Sequence, residues 1–359
     1  MLLVIDDKIP FMRGQAERLG RAVYLPGAEI APADVREADA LIVRTRTKID
    51  KRLLDGSRVR FVATATIGTD HIDTAYLDSR GIGWASAPGC NAGSVAQYVA
   101  CTLAVLWQEG VLTMPPEACT VGVVGVGHVG SRVCEAVRRM GCRVMACDPP
   151  RAEAEGAAGF ATLEEVCAEA DVVTLHVPLT RTGRFATYHM VDAAFFDALN
   201  RKPVFINTAR GEVADTSALI AAIDAGKVSA AVIDTWEQEP HISPELLRRA
   251  RIATPHIAGY SADGKACGTR MALEAVARAL GRDDLRFDIL PPPLPEGFVY
   301  SPQDFINVSV LEKVNEVLPE PWRELLRLYD PRRDSRALKA NPELFEKLRG
   351  DYPLRREVF

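Results

Sequence analysis

Residues 121–133 read VGVVGVGHVGSRV, an apolar run that breaks into glycines at 125, 127 and 130 and continues as helix-compatible sequence. This GxGxxG spacing between an apolar run and a helix is the signature of a strand, a tight turn and a helix that bind a dinucleotide. Gly125 permits the turn, Gly127 leaves the backbone bare for a pyrophosphate, and Gly130 lets helix and strand close together. The helix amino terminus then favours the anion. His128 and Val129 lie inside the loop, His128 as a positioning residue beside the pyrophosphate rather than a catalyst.

The next apolar run, RVMACD, ends in Asp148, at the distance where an acidic residue accepts hydrogen bonds from an adenosine ribose. A carboxylate there repels a 2'-phosphate, so the expected cofactor is NAD rather than NADP. Arg151 follows closely and leaves some tolerance for NADP.

The loop belongs to a series of apolar runs that end in polar residues: TVGVVGV, RVMACD, DVVTLHV, KPVFINTA, AAVIDTW and RIATPH. Six strands alternating with helices predict a doubly wound, parallel nucleotide-binding sheet. An earlier series, LLVID, AVYLP, ALIVRT, RFVATAT and GWASA, predicts a second parallel sheet. A helix over residues 93–110, apolar at Val95, Val99, Leu103 and Leu106, links the two, and a helix over residues 265–280 returns the chain to the first.

The predicted fold class is therefore α/β, with a flavodoxin-like substrate domain (1–98 with 257–286) and a Rossmann NAD-binding domain (99–256). LPPPLP then reads as a stiff spacer. Residues 287–359, with helices at SVLEKVNEVL and ELFEKLRG, form a small α+β domain, too small to be very stable alone and suited to dimerisation.

A formal net charge of -5 gives no general drive toward nucleic acid or an anionic membrane, so a site for an anion must be a local cluster. The start, MLLVIDDKIP, is no secretory segment, and no window has the apolar length of a membrane span. The eight cysteines lack a CxxC pair and read as reduced thiols. No metal site is expected, and a cytoplasmic location follows by default.

Oxidising a 2-hydroxy acid needs a base for the hydroxyl proton, a cation for the carboxylate and a nicotinamide against the C2 hydrogen. Arg210 in INTARGEVAD, Glu239 in IDTWEQEP and His256 in TPHIAGY each follow a predicted strand, on the edge where such sheets bind ligands. Imidazole can both accept and return a proton, a carboxylate can fix its tautomer, and a guanidinium can grip a carboxylate. Singly these are commonplace residues; downstream of a dinucleotide loop they form a set.

INTARGEVAD, DTWEQEP and PHIAGY resemble the Arg, Glu and His motifs of the D-isomer-specific 2-hydroxyacid dehydrogenases, and the likeness runs from about residue 1 to 282. TATIGTDHID, SAPGCNAGSVAQYV, ACDPPRA and HIAGYSADGKACGT are similar to one branch of that family, which also carries a carboxy-terminal dimerisation domain. The resemblance implies a homodimer that oxidises 4-phospho-D-erythronate to 2-oxo-3-hydroxy-4-phosphobutanoate with reduction of NAD. It implies substrate contacts at Thr45, Thr66, Gly68 and Tyr260, nicotinamide-side contacts at Asp234 and Gly259, and cofactor-lining backbone at Val177, Thr208, Ala209 and Arg210. Cys267 departs from the pattern, where Arg is expected.

A substrate with both carboxylate and phosphate needs several cations. Arg44, Arg46 and Lys48 follow the strand ALIV, and Lys265 and Arg270 follow His256; Arg44 and Lys265 are the candidates for the substrate. The same catalytic set would also serve a 3-phosphoglycerate or glyoxylate dehydrogenase. An NAD-sensing protein without catalysis is a further alternative, since fold does not fix function.

Overall fold

The computed structural model describes residues 1–293 and 320–357. The expected SVLEKVNEVL helix lies outside the described residues. By contacts the chain divides into two compact units, one of residues 1–91 with 261–293 and one of residues 92–260 with 294–359.

The first unit holds a parallel sheet of β1 (Leu2–Asp6), β2 (Arg21–Leu25), β3 (Ala40–Val43), β4 (Phe61–Thr64) and β5 (Gly83–Ala85), in the order β2-β1-β3-β4-β5. That order is the flavodoxin-like one. The central strand β3, ALIV, is buried along its whole length, as a strand covered on both faces must be. Helix Ala262–Ala279 packs on β4; Ser261 caps its first turn by accepting from Gly264 N–H at 2.8 Å. Close approach explains a glycine here, since a Cβ on Gly268 would come within 2.8 Å of the Ala65 carbonyl oxygen.

The second unit holds β6 (Thr120–Val124), β7 (Arg143–Cys147), β8 (Val172–Leu175), β9 (Val204–Asn207), β10 (Ala230–Ile233) and β11 (Ile252–Ala253), all parallel, in the order β11-β10-β9-β8-β6-β7. β8, β9 and β10 are buried at every position. Helix Ala92–Gln108 is buried on nearly all faces and packs against helix His128–Arg139. The strand order reverses between β6 and β8, and all six carboxyl ends share one edge, so the topology alone assembles a ligand crevice there.

The described carboxy-terminal helices, Glu320–Leu328, Pro331–Ala340 and Phe345–Gly350, fall within this second unit. Trp322, Leu325 and Tyr329 are buried in the core that includes helix Ala92–Gln108, with the Trp107 and Trp322 rings 5.1 Å apart. Leu338 and Phe345 are buried in the other core, with Ile233 and Ala253. This part is helical; the strand content expected of residues 287–359 is not found among the described residues. No helix among the described residues is long and apolar enough to cross a membrane, and no described cluster of His, Cys, Asp and Glu could hold a metal ion.

Candidate active site

Gly125 follows β6 with φ +87°, and a Cβ there would lie 2.8 Å from the backbone of His176 and Val177, so the turn demands glycine twice over. Gly130 sits so close to the turn that a Cβ would come within 1.9 Å of the Gly125 carbonyl oxygen. Gly127 differs: nothing lies within 4 Å of its Cβ position. It is the amino-terminal cap of helix His128–Arg139, and no side chain caps the first N–H groups. Bare N–H donors beneath open space fit a pyrophosphate.

Asp148 stands at the end of β7. One carboxylate oxygen accepts from Val126 N–H at 2.7 Å and the other from Arg151 N–H at 3.1 Å, which ties the glycine loop to the start of helix Pro149–Glu155. Arg151 is engaged by Glu155 at 2.7 and 2.8 Å and by the Val126 carbonyl at 2.5 Å. It is therefore occupied close to home, an arrangement that favours NAD over a 2'-phosphorylated cofactor.

At the end of β8, His176 bonds Thr174 Oγ1 at 3.0 Å and Thr208 Oγ1 at 3.3 Å. Burial lowers its pKa to about 3, so the ring is neutral. Val177 packs on Gly125, and Thr208, Ala209 and Arg210 follow β9. In the sequence only its place at the end of DVVTLHV marks His176.

Arg210 precedes Gly211, whose Cβ position is 1.9 Å from the Trp236 backbone. That close approach presses the Arg210 turn against the loop carrying Glu239. Asn207 Nδ2 donates to the Arg210 carbonyl at 3.0 Å, and the guanidinium donates to the Ala209 carbonyl at 2.8 Å.

His256 follows β11 with φ +56°, in the left-handed region that a histidine adopts only when its surroundings hold it there. Asp234, almost fully buried at the end of β10, does the holding. It accepts from Thr254 Oγ1 at 2.6 Å, Ile257 N–H at 2.8 Å and Ala258 N–H at 3.0 Å. Burial pushes its carboxyl up, with His256 and these three bonds opposing. Asp234, expected on the nicotinamide side, thus shapes the PHIAGY turn that carries Gly259 and Tyr260.

Glu239 receives His256 Nδ1 at 2.8 and 3.0 Å and Trp236 N–H at 3.0 Å. Burial pushes the Glu239 carboxyl up, but His256, Arg349 and the Trp236 N–H outweigh it and leave it below its ordinary value. With Nδ1 committed to a carboxylate, Nε2 is the nitrogen left for substrate chemistry. Arg349 lies 3.4 Å from Glu239 and 3.3 Å from the Tyr260 hydroxyl. Arg355, buried, bonds the Ile257 and Ala258 carbonyls at 3.2 and 2.6 Å and Ser94 Oγ at 3.0 Å. Nothing in ELFEKLRG or its neighbours singles out either arginine in the sequence.

The first unit gathers the remaining candidates. Arg44, after β3, is forked onto the buried Asp6 at 3.0 and 3.1 Å, and Thr45 beside it is exposed. Thr66, after the neighbouring β4, bonds Thr64 Oγ1 at 2.7 Å and the Gly68 carbonyl at 3.3 Å. Lys265 and Arg270 lie on helix Ala262–Ala279, where Arg270 meets Glu274 at 3.4 Å and Cys267 Sγ at 3.5 Å.

A dinucleotide turn, a carboxylate-held histidine and an arginine on one edge of a parallel sheet define a D-isomer-specific 2-hydroxyacid dehydrogenase. The family model for its NAD binding domain matches residues 95–258. Over its whole length the chain is similar to erythronate-4-phosphate dehydrogenases. It is 48% identical to that of Bacteroides thetaiotaomicron over 99% of this chain and 97% of that one, and 44% identical to that of Marinobacter nauticus over 99% and 93%. Among solved structures, D-lactate dehydrogenase from Aquifex aeolicus, complexed with NAD and lactic acid, matches with TM-score 0.65 and 25% identity over 81% of this chain and all of that one. The chain belongs to the erythronate-4-phosphate dehydrogenase family, a branch of the NAD-dependent 2-hydroxyacid dehydrogenases.

Proposed function

We propose that the chain oxidises 4-phospho-D-erythronate to 2-oxo-3-hydroxy-4-phosphobutanoate in pyridoxal 5'-phosphate biosynthesis. What carries the reading is likeness to erythronate-4-phosphate dehydrogenases along almost the entire chain, carboxy-terminal segment included. NAD, when bound, supplies the acceptor for the C2 hydride. His256 takes the C2 hydroxyl proton at Nε2 while Glu239 holds Nδ1 and stabilises the imidazolium. Arg210 grips the substrate carboxylate and polarises the C2 oxygen.

The substrate contacts are Arg44, Thr45, Thr66, Gly68, Tyr260 and Lys265. On the cofactor side, Gly125, Gly127, His128, Val129 and Gly130 cradle the pyrophosphate and Asp148 takes the ribose. Val177, Thr208, Ala209, Asp234 and Gly259 line the remainder. The protein works as a cytoplasmic homodimer assembled through its carboxy-terminal segment; a monomer in light scattering of the full chain would contradict the dimer.

The reaction is followed by NADH absorbance with 4-phosphoerythronate, the keto acid being removed by a coupled aminotransferase. NADH formation dependent on this substrate is expected. Binding of NADH without turnover on any phosphorylated hydroxy or keto acid would mark an NAD-sensing protein instead.

A further inference from the structure

Glu239 has two cationic neighbours. One is His256, and the other is Arg349 from helix Phe345–Gly350, whose side chain is only 20% exposed. Through Nη1 the guanidinium reaches Glu239 Oε2 at 3.4 Å, and through Nε it donates to the Tyr260 hydroxyl at 3.3 Å. Tyr260 rests edge-on against Tyr352, ring centroids 6.1 Å apart, so its ring is braced as well. One side chain, remote in sequence from the strands that carry the catalytic set, therefore touches both the acid of the Glu239–His256 pair and a residue assigned to the substrate.

We propose that Arg349 is a positioning residue of the active site: it fixes and keeps ionised the carboxylate that orients His256, and it aims the Tyr260 hydroxyl. The inference rests on the proton-transfer role given to His256 above. Without Arg349, Glu239 Oε2 would keep only the imidazole, and the carboxylate would be held by the Trp236 N–H on Oε1 and by a single imidazole N–H shared between its two oxygens. Burial already opposes its charge, and Arg349 is one of the groups that outweigh burial.

Arg349 also acts on the proton itself. Once His256 is protonated, imidazolium and guanidinium face the same carboxylate, which favours return of the proton. Glu239 is faced by His256 from the turn after β11, by Arg349 from the carboxy-terminal helix and by Trp236 N–H from its own loop. Asp234 lies behind His256 at the end of β10, Tyr260 lies beyond Arg349, and Arg210 adds a positive charge on the same sheet edge.

The test uses the full chain with Arg349→Met, which keeps the stem and removes the charge, and Arg349→Lys, which keeps the charge without the fork. Without substrate, the low-field proton resonance of His256 Nδ1–H is expected in the wild type and in Arg349→Lys, and broadened or lost in Arg349→Met. NADH affinity should stay within about twofold throughout.

In turnover, Arg349→Met should lower kcat about tenfold or more near neutrality and raise KM through the loosened Tyr260. The acid limb of its profile, which belongs to the Glu239–His256 pair as a unit, should move to higher pH, because the pair keeps its proton longer once a nearby positive charge is gone. Arg349→Lys should recover most of kcat but not of KM.

A folded Arg349→Met that keeps both the Nδ1 resonance and the wild-type limb, however slow, overturns the proposal. Should that variant not fold, Arg349→Gln takes its place with the same expected and overturning results. If 4-phosphoerythronate is not oxidised at all, the substrate assignment fails while the resonance comparison still decides the role of Arg349.

Discussion

Glu239 meets His256 Nδ1 with both carboxylate oxygens, at 2.8 and 3.0 Å, and so commits the imidazole to one tautomer and one orientation. Arg210, on the turn packed against the same loop, completes a set that can take a proton while holding a carboxylate.

Replacing His256 by Ala removes the proton acceptor and leaves the glycine loop intact. We expect kcat to fall by about 10²- to 10⁴-fold with NADH affinity almost unchanged, as stopped-flow turnover and fluorescence titration would measure. Turnover at the wild-type rate would contradict the assignment.

Arg210→Ala should raise KM and lower kcat together, since the guanidinium is assigned both to the bound carboxylate and to the developing C2 oxygen. Arg210→Lys should recover only part of the loss, because a point charge does not replace a planar fork. A change in KM alone would restrict Arg210 to binding.

The glycine loop separates packing from binding. Gly130→Ala drives a Cβ onto the Gly125 carbonyl and should cost about 1–3 kcal/mol in a denaturant melt. Gly127→Ala meets nothing in the protein, so its melt should stay within about 0.5 kcal/mol of wild type while NAD binding weakens about tenfold or more. Equal NAD affinity in Gly127→Ala and the wild type would place the pyrophosphate elsewhere.

The ion pair also sets a pH dependence. The Glu239 carboxyl lies below its ordinary value of 4.5, so the stability it contributes is present above that pH and lost as pH falls through the folded value. Urea melts should therefore show wild type losing stability more steeply than Glu239→Gln as pH falls from about 5 to about 3. Parallel curves would mean that the pair adds nothing to stability.

Cutting the chain after residue 293 removes Trp322, Leu325, Tyr329, Leu338 and Phe345, all at most 5% exposed. Each large side chain is worth about 1.5–3 kcal/mol of burial, so their joint loss rivals the net stability of a domain. The shortened protein is expected to aggregate or to melt well below the full chain in calorimetry. A soluble product with the same melting temperature would refute this.

The glycine loop, both strand series and the Arg210, Glu239 and His256 motifs were legible in sequence because each depends on local spacing. Tertiary contacts were not. Asp148 was read as a ribose ligand, yet its carboxylate also ties Val126 to the following helix. The bonds of the Asp234 carboxylate to Thr254, Ile257 and Ala258 likewise follow from no spacing in the sequence. Arg349 and Arg355 reach the PHIAGY turn and its neighbours across about a hundred residues of chain, a distance over which no periodicity carries information.

The most direct test of the central claim is the ratio of kcat/KM for 4-phosphoerythronate to that for 3-phosphoglycerate and for D-lactate, measured on one preparation with NAD. The account predicts a preference of about a hundredfold or more, since D-lactate lacks the phosphate and 3-phosphoglycerate, one carbon shorter, cannot set carboxylate and phosphate at the same separation. Equal values, or a preference for 3-phosphoglycerate or D-lactate, would contradict it.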